Sequence, residues 1–327
     1  MHFQRYVLSL LLACLPCLAG AQVVVRQASN SPPGTVFHEH WLKFKGKLEA
    51  DGGFKVELNT TEPNEANVLS NLRRGRVDCA GTSLQGTASV LPEIAVLQLP
   101  YLFASFKEVD HAYDAAGATG LGETYRKLFA AKGLALLHFV EVGFVNMYST
   151  TPLKGVADVQ GKKFRATQSR ASQNWIKAIG AEAVVLPFAD LVPGLQTGLI
   201  RGGEAGVVIF DAVVGKAAAH YTLTQHSFDS GVILCNKEWL DKLTPAQRQH
   251  VSAAWDRAGQ IRDVRAQADK VITAAAAKGI TVYRPSEAEM QGWRAAGKLA
   301  AEGVMATLPE AVSLRDTLQE VIRTAPR

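Results

Sequence analysis

Apolar residues fall along this chain in two alternating spacings. Short runs that are wholly apolar, or apolar at every second position, are followed by stretches with apolar residues every three or four. That alternation predicts strands layered with helices, an α/β arrangement. Val23-Val24-Val25 opens the first predicted strand, and Thr35, after the Ser31-Pro32-Pro33-Gly34 loop, caps a helix to about Ala50. Asp51-Gly52-Gly53 stops that helix, and 54–58 alternates as a strand. A helix over 64–74 ends at Gly75, and a strand follows over 76–80. Helices are predicted over 105–116 and 121–132, after which Gly133 releases a strand over 134–142.

After Gly143 the pattern restarts. Strands are predicted over 144–149, 163–167, 183–186, 207–210 and 231–235, with helices over 172–179 and 190–198. Pro245 to Lys278 reads as one Ala-rich helix with Gly259 its sole internal breaker. At 1.5 Å per residue such a helix is about 50 Å long, enough to cross two lobes. The tail after Pro285 is mostly helical. The expectation is a two-lobed α/β clamp with mixed sheets, several interdomain crossings and a long helix spanning both lobes. Lobe I takes 22–143, with 230–264 returning to it. Lobe II takes 144–229, with 265–327 packing on it as a helical C-terminal part. Ligands of such clamps sit in the cleft between lobes.

Composition narrows the class. The chain has 327 residues, 47% hydrophobic and 20% charged, which excludes a disordered, collagen-like or multi-span membrane protein and suits two domains. The net charge of +5 comes from Lys and Arg interspersed with acids, so no nucleic-acid arm is expected. Residues 1–21 read as a secretory signal. His2 and Arg5 precede an apolar run from Val7 to Leu18, and Ala19-Gly20-Ala21 ends it, with cleavage before Gln22. The run is shorter than the roughly 20 residues that span a membrane. Leu11-Leu12-Ala13-Cys14 leaves a lipidated variant open. Cleavage would leave Cys79 and Cys235, both in apolar strand-like runs. Two buried free thiols are the expectation, with a disulfide left open to geometry.

Catalytic motifs are missing. The chain has no G-x-S-x-G, no H-E-x-x-H, no P-loop and no G-x-G-x-x-G after a strand. His38 and His40, two apart on a helix, face different sides and cannot share a metal. Nothing supports a Cys79–His dyad. The chain is not expected to be an enzyme; an exported enzyme is kept as the lesser alternative, which a base within hydrogen-bond reach of a nucleophile at the cleft would favour.

Several stretches carry a resemblance. They are 28–38, Gln98-Leu99-Pro100-Tyr101-Leu102-Phe103, 153–165 ending in Gly161-Lys162-Lys163-Phe164-Arg165, and Leu195-Gln196-Thr197-Gly198. Asn236-Lys237-Glu238-Trp239 and Leu243-Thr244-Pro245-Ala246-Gln247 complete the set. In this order they resemble the DctP-type substrate-binding proteins of tripartite ATP-independent periplasmic (TRAP) transporters. The resemblance implies a periplasmic-binding-protein clamp, exported to the periplasm. It implies a monomer that closes on a small organic acid and delivers it to TRAP membrane permease subunits. A ligand sensor docking on a membrane signalling protein would use the same scaffold.

Within that resemblance, Arg165 matches the family arginine that pairs bidentately with a ligand carboxylate. Its planar fork presents two parallel N–H donors and stays charged. Two positions depart from the family. Val145 stands where a second arginine is common, and Ala205 where an asparagine is common. A buried second carboxylate would lack partners. A monocarboxylate is therefore expected, its remainder against Val145, Ala205, Phe144 and Phe210. Glu204 and Asp211 bring negative charge near the cleft, for a ligand ammonium or hydroxyl. No cofactor is expected, though a Ca²⁺ or Na⁺ ion bridging to the ligand at Glu204 stays open. Asn146, Gln168 and Ser169 are candidate hydrogen-bond donors, and Ser29, Asn30 and Ser83 are expected on loops facing the cleft. Trp175 is read as core or as a stacking surface, and His38 as structural.

Overall fold

The computed structural model describes residues 22–114 and 121–326. The leader predicted over 1–21 and the end of the helix predicted over 105–116 lie outside them. The chain begins with β1 (Val23–Ser29), α1 (Val36–Glu49), β2 (Phe54–Asn59), α2 (Glu65–Arg73), β3 (Cys79–Ser83) and the short α3 (Leu84–Thr87). Thr35 caps α1 as expected, its hydroxyl accepting from His38 N, and Asn64 caps α2. Next come α4 (Phe106–Asp114), α5 (Leu121–Ala130) and the 16-residue β4 (Leu134–Ser149). The second half holds β5 (Lys163–Ala166), α6 (Arg170–Ala178), β6 (Glu182–Val185), α7 (Leu191–Gln196), β7 (Gly202–Gly206) and α8 (Val207–Ile209). The 17-residue β8 (His220–Asn236) returns through both halves. Then follow α9 (Lys237–Lys242), α10 (Pro245–Ala254), α11 (Arg257–Ala274), β9 (Thr281–Tyr283), α12 (Glu287–Ala306) and α13 (Val312–Arg323).

The strands form one path in the order β2-β1-β3-β8-β4-β7-β5-β6, with β9 pairing β8. β1 is parallel to β2 and β3, and β5 is parallel to β6 and β7. β8 runs antiparallel to β3 and β4, and β4 antiparallel to β7. The mixed character was expected, but the two lobes share a sheet because β4 and β8 pass through both. The sequence break at Gly143 is a bulge inside β4, not a strand end. Gly143 has φ +114°, and the register to β8 shifts between Glu141 and Gly143. An extra residue there bends the ladder without ending it.

Three local expectations change. The helix predicted over Pro245–Lys278 is broken at Trp255-Asp256. Trp255 is extended and buried against Trp41, ring centroids 4.9 Å apart, and the Asp256 side chain accepts from Gly259 N to start α11. α11 still spans both halves. Asp263 reaches His40 of α1 at 3.0 Å, and Ile272 packs with the cluster of Phe210 and Tyr221. Residues 207–210, predicted as a strand, are helical. The strand is the glycine-rich 202–206, whose sequence carries no apolar alternation. Glycine is needed there because strands crowd: a Cβ on Gly202 would meet Tyr148 O at 2.1 Å. Gly202→Ala should therefore destabilise the fold by about 2 kcal/mol, read as a lower urea midpoint. An unchanged midpoint would refute the close approach.

The third change concerns the tail. α12 packs on α6, with Trp293 beside Trp175, as placed on lobe II. α13 instead joins α4, and Leu314, Leu318 and Val321 share a core with Ile94 and Phe129 of the first half. Its apolar stripe alone could not say which half it would meet. The free-thiol expectation is also corrected. Cys79 and Cys235 face each other in the β3–β8 register and form a disulfide, Cα atoms 4.0 Å apart. Two residues 156 apart in sequence become cross-strand neighbours only through the antiparallel return of β8.

Candidate functional site

A cavity of about 220 Å³ lies between the halves. One wall comes from the starts of α1 and α2, from β3 and from α3. The other comes from β5, β7 and the 186–191 segment, with β4 and β8 as floor. Most of the surface is apolar, with Phe37, Trp41, Phe188 and Trp255 contributing rings.

Arg165 stands on β5 between the core residues Phe164 and Ala166. Alternation along the strand turns its side chain to the face opposite theirs. It is 8% exposed, and its Nε donates to Leu186 O at 3.3 Å. Among the described residues no acid forms an ion pair with it. A guanidinium so placed has its fork available to the cavity.

Three acids line the cavity, Glu65 from one wall, Glu204 from the other and Asp229 from the floor. Glu204 on β7 lies 2.8 Å from His226 Nε2, and His226 Nδ1 lies 2.8 Å from Thr224 Oγ1. The His226 ring stacks flat on Trp175, centroids 4.1 Å apart. Glu65, in the first turn of α2, accepts from Ser83 N and Ser83 Oγ, both at 2.6 Å. Burial raises its pKa above the usual range, while the Ser83 bonds and the Arg165 charge pull it down. Asp229 on β8 accepts from Gln85 Nε2 at 2.8 Å and Gln98 Nε2 at 3.4 Å. Burial pushes its pKa up to about 7 against the Gln85 hydrogen bond, with the Glu65 and Glu204 charges acting the same way as burial.

Of the candidates read from sequence, Arg165, Glu204, Gln168, Ser83, Asn30, Val145 and Ala205 line the cavity. Five do not. Asn146 points away from Val145, its strand neighbour. It donates to Tyr221 OH and Phe144 O and accepts from Gln225 N. Ser169 caps α6 and donates to Gln98 Oε1 at 2.8 Å. Phe144 packs between Phe106 and Phe228, centroids 5.1 and 5.2 Å away. Phe210 stacks on Tyr221 at 4.2 Å, because the segment expected as a strand is helical and turns it inward. Asp211 pairs with Lys278 at 2.6 Å. Ser29 is fully buried in the sheet, Trp175 is core, and His38 Nδ1 meets Thr60 Oγ1 at 2.8 Å.

Glu65, Asp229, Gln85 and Trp41 are wall residues that the sequence reading passed over. Glu65 resembles any first-turn helix acid. Asp229 carried a usable signal, since a lone acid interrupts an otherwise uncharged strand run, Ser227-Phe228-Asp229-Ser230-Gly231. As for metals, no group of three or more His, Cys, Asp or Glu converges among the described residues. Glu204 is already held by His226.

The family model for DctP, bacterial extracellular solute-binding protein family 7, matches residues 28–306. The chain is 27% identical over 248 residues to the 2,3-diketo-L-gulonate-binding periplasmic protein YiaO of Escherichia coli, covering 73% of this chain and 74% of that one. Its fold matches the periplasmic ectoine-binding protein of the TeaABC TRAP transporter of Halomonas elongata. There the TM-score is 0.85 at 22% identity, over 92% of this chain and 99% of that one. The sugar acid binding protein DctPAm of Advenella mimigardefordensis, in complex with galactonate, matches with TM-score 0.85 at 22% identity, over 93% and 99%. Among the described residues no helix is long and apolar enough to cross a membrane.

Proposed function

The chain belongs to the DctP family, the bacterial extracellular solute-binding proteins of family 7, and from that premise we propose that it captures a small monocarboxylate in the periplasm by closing its lobes around Arg165 and delivers it, as a monomer, to a TRAP membrane permease. The family is one of binding proteins, not enzymes. The leader read over residues 1–21 supports the periplasmic placement.

One observation carries the reading: Arg165 is a buried cation in a cavity wall, and among the described residues no acid forms an ion pair with it. A buried charge is costly unless a counter-charge meets it. A carboxylate matches the fork with two parallel hydrogen bonds. Val145 and Ala205 in the same wall bring no cation or amide donor for a second carboxylate. The apolar wall suits the remainder of the ligand.

A thermal-shift screen tests this. The panel holds monocarboxylates, dicarboxylates, keto acids and amino acids, together with the ligands named for relatives, 2,3-diketo-L-gulonate, ectoine and galactonate. A ligand at 100 times its Kd stabilises the folded state by about 2.7 kcal/mol. A monocarboxylate is expected to give the largest shift. A larger shift with succinate would refute the single-carboxylate reading, and no shift with any acid would remove the organic-acid reading altogether.

A further inference from the structure

We propose that the cavity is built for a zwitterion: besides the carboxylate that meets Arg165, the ligand carries an ammonium-type cation seated against Asp229 and Glu65. The inference rests on Arg165 being the carboxylate clamp and goes on to name the charge type of the whole ligand.

The described residues around the cavity include one guanidinium, Arg165, and three carboxyl groups, Glu65, Glu204 and Asp229. Such a balance is the reverse of what an anion receptor needs. Glu204 has His226 against it. Glu65 and Asp229 are held only by neutral donors, the Ser83 amide and hydroxyl for one and the Gln85 and Gln98 amides for the other. Neutral donors fix where a carboxylate points, but they do not cancel its charge. Once a ligand carboxylate neutralises Arg165, these two acids are left uncompensated in an apolar enclosure, where uncompensated charge is costly. A second anion would add repulsion, and a neutral tail would leave the imbalance in place. A cation on the same ligand removes it.

Arg165 and the acids are close enough for their charges to interact. The Arg165 charge acts on Glu65, and Glu65 and Glu204 act on Asp229. A small molecule can therefore reach both poles. Trp41 and Phe37 on one side and Phe188 on the other line the same cavity. Ring faces attract alkylated ammonium groups.

The groups facing Asp229 set a pH signature. Glu65 on α2 and Glu204 on β7 act on it electrostatically, and its own charge in turn raises the pKa of Tyr113 on α4. With its pKa pushed up to about 7, part of the Asp229 population is protonated at neutral pH in the free protein. A cation beside it favours the ionised form. Binding a zwitterion therefore releases a proton, and affinity rises as the pH climbs through about 7.

The test uses isosteric pairs that differ only in a charge. One pair is 4-(trimethylammonio)butanoate and 5,5-dimethylhexanoate. The other is trans-4-(aminomethyl)cyclohexanecarboxylate and trans-4-ethylcyclohexanecarboxylate. Calorimetry on the purified protein, in two buffers of different ionisation heat, reads both affinity and proton release. The charged member of each pair is expected to bind at least tenfold more tightly and to release protons near neutral pH. Asp229→Asn should shrink that preference about tenfold, read as the ratio of the two members' affinities for the same variant. A neutral member binding as tightly as its charged partner overturns the inference and leaves carboxylate capture standing. So does a dicarboxylate or sugar acid that outbinds every zwitterion. A preference that persists in both Asp229→Asn and Glu65→Gln overturns the assignment to these two residues. No binding by any carboxylate overturns the Arg165 reading together with this one. The wild-type comparison stands even if a variant does not fold.

Discussion

Arg165→Ala is expected to weaken carboxylate binding by roughly 30- to 3,000-fold, equivalent to about 2–5 kcal/mol. The size follows from the surroundings of the side chain. It is buried in an apolar wall, so its pairing with a carboxylate is little screened by water. Truncation removes both hydrogen bonds of the fork and leaves the ligand carboxylate buried without a partner. Arg165→Lys keeps the charge but loses the planar fork, so an intermediate loss is expected. Stability of the ligand-free protein should change little in the alanine variant, because losing a buried cation without an ion-pair partner is offset by losing the Arg165 charge that acts on Glu65. Calorimetric titration and thermal unfolding read the two effects separately. An alanine variant that binds within threefold of wild type would remove Arg165 from the site.

Reduction of the Cys79–Cys235 disulfide is expected to lower stability by about 2–4 kcal/mol. The bond closes a loop with a sequence separation of 156, so it removes many extended conformations from the unfolded chain. Both cysteines are fully buried. The double variant Cys79→Ala, Cys235→Ala should therefore pack nearly as well and still lose the constraint. Its urea midpoint should fall, and the slope should steepen as the unfolded chain expands. Ligand affinity should change less than stability, because neither cysteine lines the cavity and the bond reaches it only through its neighbours Trp41 and Ile233. Equal midpoints with and without reductant would show that the bond contributes nothing.

Legibility differed by element for physical reasons. The caps at Thr35 and Asn64 and the stripe of α1 are set by residues within one or two turns, so local pattern sufficed. β7 escaped notice because glycine shows no alternation, and its glycines answer a crowding that comes from Tyr148 of β4. The break before α11 escaped for a similar reason. Trp255 is drawn out of helical geometry where it packs against Trp41, some two hundred residues earlier in sequence.

The site divides along the same line. Arg165 stood out through the motif around it, and strand alternation then turned it from the core to the cavity. Phe144, Asn146, Ser169, Phe210 and Asp211 sit close in sequence to wall positions and are engaged elsewhere. Proximity along a chain does not give direction. One residue along a strand reverses the face, and a strand-to-helix change rotates the next side chains inward.

By itself the sequence determined the α/β two-lobed class and the family, and it singled out Arg165 as a candidate. These rest on local periodicity and on motifs whose residues lie within a few positions of one another. Only the tertiary structure decided that the lobes share a sheet, that Cys79 meets Cys235, and that Glu65 and Asp229 join Arg165 around one cavity. Each of these depends on the antiparallel return of β8 beside β3 and β4, a long-range pairing whose register is settled when the chain packs.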